Sequence, residues 1–166
     1  MANTQSMCTS FMSELLTATH NFGTAPIRGA STADTFKAAL YLTTATVNAS
    51  TTAYSATNEV SGTGYTAGGV TVTNATAPTS TNSSATAGTA YWTPSASITY
   101  TTVTLTTAFD CVLIYNSSQS NKAVSVHTFG SQTVTAGTFT LTMPANTTTT
   151  AVAIRCYNWT PRIISN

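Results

Sequence analysis

Short runs of alternating apolar and polar residues recur from one end of this chain to the other, and they restrict it to a mainly β design. The clearest is Thr35 to Thr43, which sets Phe36, Ala38, Leu40 and Leu42 inward and Lys37, Ala39, Tyr41 and Thr43 outward. Strand-length runs follow at Val70–Val72, Ala90–Thr93, Ile98–Thr107, Cys111–Tyr115, Ala123–Phe129, Thr138–Met143 and Ala151–Cys156. Helical spacing is read at Ser10–His20, where Phe11 and Leu15, and Met12 and Leu16, stand four apart. Seven to nine short strands at this spacing predict a mainly β fold, an antiparallel β-sandwich or jelly roll with a short N-terminal α-helix.

The domain organisation follows from the same pass. Residues 1–22 form an N-terminal arm and helix, and residues 23–166 a single β-sandwich domain. The stretch 74–89 lacks apolar anchors and reads as an exposed loop. Phe36, Leu40, Leu42, Leu113, Phe139 and Leu141 are the expected core. A long connection from Thr44 ends in Gly62, Gly64, Gly68 and Gly69. A phosphate-binding loop would lead into a helix, but Val70-Thr71-Val72 follows, so the glycines are expected to serve tight turns with positive φ.

Composition narrows the partners. The 166 residues include five Lys and Arg, four Asp and Glu, and roughly a quarter Thr, so the surface is hydroxyl and amide instead of ionic. Such a surface offers little electrostatic protection against self-association, and a homo-oligomer is expected. A net charge of +1 with scattered cations gives no stripe for a phosphate backbone, so no nucleic-acid partner is expected. With 42% hydrophobic residues the chain is expected to fold. The absence of an apolar run near 18 residues and of a leader pattern predicts a protein made in the cytosol with no membrane partner.

Chemistry-bearing residues are few. The carboxylates Glu14, Asp34, Glu59 and Asp110 are dispersed, and each reads first as a helix-surface, turn or loop-fixing residue. Glu59 stands out because it occupies a glycine-rich connection, where it either fixes the loop or contacts a partner. Asp110, Ser125 and His127 make a hydrolase triad on paper only, since Ser125 lies mid-strand without a glycine elbow. Cys8, Cys111 and Cys156 read as buried free thiols, and too few His and Cys are present for a zinc site, so neither metal nor cofactor is expected. Tyr54, Tyr65, Tyr91, Trp92 and Tyr100 can stack on sugars, but in a β domain such rings more often anchor cores or interfaces.

The segments TSFMSELLTATHNF, DTFKAALYLTTATVNASTTAYSATNEVSGTGYTAGG, LIYNSSQSNKAVSVHTFGSQTVTAG and FTLTMPAN occur in that order over roughly residues 9–154. Together they resemble a group of small β-rich structural proteins of tailed bacteriophages and prophages. The resemblance implies a non-enzymatic virion protein present in many copies and assembled in the host cytoplasm. Added to the low charge, it favours a trimer as the homo-oligomer. The first expectation is a capsid decoration or cement protein touching the major capsid protein or other virion proteins. The alternative is a tail, neck or fibre-associated adaptor. The residues expected to meet partners are Phe11, Met12, Leu15, Leu16, Glu59 and Trp159.

Overall fold

The computed structural model describes residues 3–4, 6–16, 19–22, 33–73, 79–81, 89–92, 97–143 and 152–155. In chain order the elements are β1 (Ser6–Met7), α1 (Thr9–Leu16), β2 (Phe36–Leu42), β3 (Val70–Val72), β4 (Thr79–Thr81), β5 (Thr89–Trp92), β6 (Ile98–Asn116), β7 (Lys122–Leu141) and β8 (Val152–Arg155). One antiparallel sheet runs β1-β7-β6-β2-β3, and a smaller one runs β4-β5-β8. The protein is thus mainly β, and among the described residues helix is confined to a short N-terminal segment.

Strand β2 is the middle of the design. It pairs with β6 from Phe36↔Asn116 to Leu42↔Phe109 and with β3 from Phe36↔Val72 to Ala38↔Val70. The alternation in its sequence predicts one wet face, but Ala39 and Tyr41 are buried as fully as Phe36, Ala38 and Leu40. The adjacent β6 and the start of β7 beyond it behave the same way: Cys111 through Asn116 and Ala123 through Val126 are buried without alternation. A strand covered on both faces reads as a continuous apolar run, which CVLIY and AVSV approach.

The cover comes from the chain's own connections. On the face of Phe36 and Asn116, Phe22 stacks on Phe36 at 4.4 Å between ring centroids and Phe11 meets Phe22 edge-on at 5.8 Å. On the face of Tyr41 and Tyr115, the 43–69 connection lays Tyr54 on Tyr115 at 4.7 Å. Among the described residues both faces of the large sheet are thus covered by the chain's own connections, which establishes a mainly β fold but not the finer sandwich or jelly roll.

Strands β6 and β7 are each continuous where the sequence suggests two. The ladder between them shifts register between Tyr100 and Val103, Val103 and Leu105, Leu105 and Phe109, and Phe109 and Cys111. Thr102 (φ 52) and Ala136 (φ 46) take left-handed backbone at such irregularities. Each inserted residue restores Tyr100, Val103, Leu105 and Phe109 to the buried side despite their uneven spacing. Broken alternation therefore marks bulges here and not strand ends. Of the expected core, Phe36, Leu40 and Leu113 are fully buried, whereas Leu42, Phe139 and Leu141 are partly buried at its margin.

Other sequence boundaries also move. Helix α1 spans Thr9–Leu16, and Thr19 and His20, expected at its end, are not helical; residues 17–18 lie outside the described residues. Within the stretch 74–89, expected to be a loop, Thr79–Thr81 pairs with Thr89–Tyr91, because threonine suits an extended ladder even without apolar neighbours. The rest of that stretch lies outside the described residues.

Replacing Leu40 or Leu113 with Ala removes a fully buried side chain between two covered faces, and each is expected to cost about 2–5 kcal/mol in urea unfolding. Gly69 has φ +71, and a Cβ there would lie 1.6 Å from the Ala38 carbonyl oxygen. Gly69→Ala is therefore expected to detach β3 from β2, read as lost amide protection at Val70–Val72; retention of that protection would disprove the pairing of Ala38 with Val70.

Candidate functional site

Strand β2 ends one of its ladders early, and the way its edge is completed builds the most organised polar site in the described structure. Beyond Ala38 no regular strand follows β3, so the Tyr65 hydroxyl accepts the Leu40 N–H at 3.0 Å and the Tyr100 hydroxyl donates to the Ala38 carbonyl at 2.8 Å. Val60 N–H then donates to the Leu40 carbonyl, Leu42 N–H donates to the Asn58 carbonyl, and Glu59 bridges opposite Tyr41. Tyrosine hydroxyls thus stand in for missing backbone, which satisfies groups that would be costly to bury unpaired.

Glu59 organises the ring of hydroxyls. Its carboxylate accepts hydrogen bonds from the Tyr54 hydroxyl at 2.6 Å, the Tyr65 hydroxyl at 2.7 Å and the Gly68 N–H at 2.7 Å. Tyr115 completes the circuit by donating to the Gly68 carbonyl at 2.8 Å, and Tyr41 donates to the Ser55 carbonyl at 2.5 Å. Burial foremost, then the bond to Glu59, holds the Tyr54 and Tyr65 hydroxyls protonated far above their ordinary range. They remain donors and Glu59 remains their acceptor. Of the two roles open to Glu59 in the sequence, the geometry displays loop fixing.

A second polar cluster fastens the N-terminal segment to the opposite face. Glu14 on α1 accepts from Lys122 Nζ at 2.6 Å and meets His20 Nε2 at 2.7 Å. The fully buried Asn116 donates its amide to Asp34 at 2.7 Å and reaches His20 Nδ1 at 3.1 Å. Asp34 also accepts from the Asn21 N–H and Gln119 Nε2. Burial works against the Glu14 charge, and the bonds and charges of Lys122 and His20 outweigh it, leaving its carboxyl below the usual range.

The sequence candidates disperse across these features. Phe11, expected to meet a partner, is 3% exposed in the domain's own core, and Leu15 is partly buried against that core. The reason is that Phe22, brought back by the chain after α1, supplies its apolar partner. The side chains of Met12 and Leu16, and all of Trp159, lie outside the described residues, as do the side chains of Tyr91 and Trp92. Tyr54 and Tyr65 are partly buried and donate to Glu59, and Tyr100 is buried with its hydroxyl on the Ala38 carbonyl.

Ser125 and His127 do meet, Oγ to Nε2 at 3.0 Å, but Asp110 is engaged elsewhere, accepting from Asn3 Nδ2 at 2.6 Å. Ser125 is 2% exposed in mid-strand, and burial lowers the His127 pKa. Cys8 and Cys111 are free and buried, and burial pushes their thiols up to about 11 and about 12, which keeps them unreactive near neutral pH; Cys156 lies outside the described residues. Among the described residues no group of three His, Cys, Asp or Glu could hold a metal ion, and no helix is long and apolar enough to cross a membrane. The tyrosine circuit itself escapes a reading of the sequence because its hydrogen bonds join residues up to 62 apart. No family model, curated protein or solved structure matches this chain.

Tyr65→Phe removes one donor to Glu59 and the acceptor of the Leu40 N–H together. A loss of about 1–3 kcal/mol is expected, against a smaller loss for Tyr54→Phe, which strands no backbone group. Equal effects in urea unfolding would show that the Leu40 bond carries nothing.

Acid is expected to act through two groups. Both have depressed pKa values in the folded state, so each contributes stability that is present above its unfolded pKa and lost as pH falls through its folded value. The decline attributable to His127 begins below about pH 6.5, and that attributable to Glu14 below about pH 4.3. His127→Asn should flatten the first part of the urea-midpoint profile and Glu14→Gln the second; profiles parallel to the parent's would refute the assignments.

Proposed function

We propose that this chain is a non-enzymatic structural component of a tailed-phage virion, acting as a capsid decoration or cement protein that stabilises the shell by protein–protein contact. The observation that carries the reading is the use of its charge. All four acidic side chains serve as internal joints: Glu14 to Lys122 and His20, Asp34 to Asn21, Asn116 and Gln119, Glu59 to two tyrosines and Gly68, and Asp110 to Asn3. A catalyst needs such groups aimed at a bound substrate, and here each ties together segments of the fold.

The order of resembling segments across residues 9–154 supports the same reading, as does a surface of hydroxyls without strong fields. A cement protein must remain rigid while seated on neighbours, and a sheet wrapped on both faces by its own connections suits that task. Its partners under this reading are further copies of itself and the major capsid protein.

Quantitative mass spectrometry of purified particles carrying this protein tests the proposal. Hundreds of copies per particle are expected for a shell component. About six or twelve copies would overturn decoration in favour of a tail or neck adaptor, and absence from particles would remove the virion reading altogether.

A further inference from the structure

Strand β7 has one partner along its full length and an outer edge that is almost bare. On that side, β1 pairs only at Val126 and Ser125, and among the described residues no strand pairs with the outer edge from Thr128 to Leu141. Natural sheets guard open edges with charges, prolines or bulges. Here the sequence carries no charged residue between Lys122 and Arg155, and no proline lies within β7. Irregularities do interrupt the strand near Thr128–Gln132 and at Ala136, which leaves Gly137–Leu141 as the regular open stretch.

The side chains of that stretch are unfinished in the same place. Phe139, Leu141 and the neighbouring Met143 and Phe129 are only partly buried, although Phe139 packs against Phe109 at 5.0 Å and Phe129 at 5.2 Å. Thr138 and Thr140 between them are exposed. An open backbone edge and a half-covered aromatic stripe on one strand call for the same thing, a further strand that also brings apolar side chains.

We infer that the Gly137–Leu141 edge pairs antiparallel with the same segment of a second copy of this chain, about a twofold axis through Phe139. Several features select a second copy as the occupant. The edge is neutral, so juxtaposing two copies brings no like-charge repulsion. Five residues match an ordinary strand length. Antiparallel pairing is also self-complementary: Gly137 meets the partner's Leu141, Thr138 meets the partner's Thr140, and the two Phe139 rings meet across the axis. An edge that pairs with itself closes after two copies, so the product is a dimer in place of the expected trimer. This inference does not rest on the virion reading.

The test uses the full chain in light scattering and sedimentation from low to high micromolar concentration. The parent is expected at twice the 17.2 kDa of one chain. Thr138→Lys with Thr140→Lys places like charges opposite each other twice and is expected to give monomer with an unchanged circular dichroism spectrum. Thr138→Lys with Thr140→Glu places opposite charges across the axis and is expected to restore the dimer, which a merely damaging pair of substitutions would not do. Hydrogen exchange of the parent supplies a readout independent of any variant: amides of residues 137–141 should gain protection as concentration rises. A parent that stays monomeric or forms a trimer, a double-lysine variant that dimerises like the parent, or amides 137–141 that exchange alike at all concentrations would each overturn the inference.

Discussion

The fold depends on a central strand that is apolar on both sides. Once β2, its neighbour β6 and the start of β7 beyond it bury both faces, something must lie over each of them, and among the described residues that cover consists largely of irregular chain. Irregular chain is poor cover, because its backbone groups need partners that a strand or helix would supply internally. Hydroxyl and carboxylate side chains answer that need here. The connection 43–69 is held down by Tyr41, Tyr54, Tyr65, Tyr100 and Tyr115 around Glu59, and the N-terminal segment by Glu14, Asp34 and Asn116.

This arrangement explains why so few charges suffice. A buried or half-buried carboxylate is stabilising only when its oxygens are engaged; Glu14, Asp34 and Asp110 each meet a donor at least 82 residues away, while Glu59 gathers its donors from within its own connection. The joint at Asn3 is representative: its amide donates to the Leu42 carbonyl and to Asp110, while its side-chain oxygen accepts the Val47 N–H. One residue near the start of the chain thereby fastens β2, β6 and the connection that covers them. The scarcity of charge on the surface and its concentration at joints are two aspects of one design.

How much of this is legible in the sequence depends on whether the signal is local. The strand at Phe36–Leu42, the turn at Ser117–Asn121 and the hairpin around it carry their reasons within a few residues, and the sequence shows them. The burial of Ala39 and Tyr41 does not, because small and amphipathic residues alternate with apolar ones whether the second face is wet or wrapped. Long strands look divided in the sequence at Ala108–Asp110 and Gly130–Gly137 because bulges break period two without ending a ladder. For the candidate site, Glu59 is visible as an unusual carboxylate in a glycine-rich connection, but its tyrosines come from β2, β6 and the connection itself. Only the folded path brings them together, and no spacing rule anticipates a hydroxyl used in place of a strand.

A hydroxyl exterior also determines how such a molecule can recognise others. Exposed Thr99, Thr101, Thr138, Thr140 and Thr142 clothe the outer side of the β6–β7 ribbon, where a direct Thr99↔Thr140 pair stands across the two strands. Threonine hydroxyls hydrogen-bond to water or protein with nearly equal ease, and they project no field beyond contact distance. Long-range steering therefore contributes little to encounter, and salt has little to screen. Selectivity must come from short-range matching: open backbone groups, the shape of half-covered aromatic rings and the register that aligns them. A rigid sheet is the appropriate carrier for that kind of recognition, since a contact that relies on register is lost when the strand presenting it can slide or bend. The bulges at Thr102 and Ala136 serve that end as well as the core, because each fixes which side of the ribbon faces inward and so which residues its edge presents.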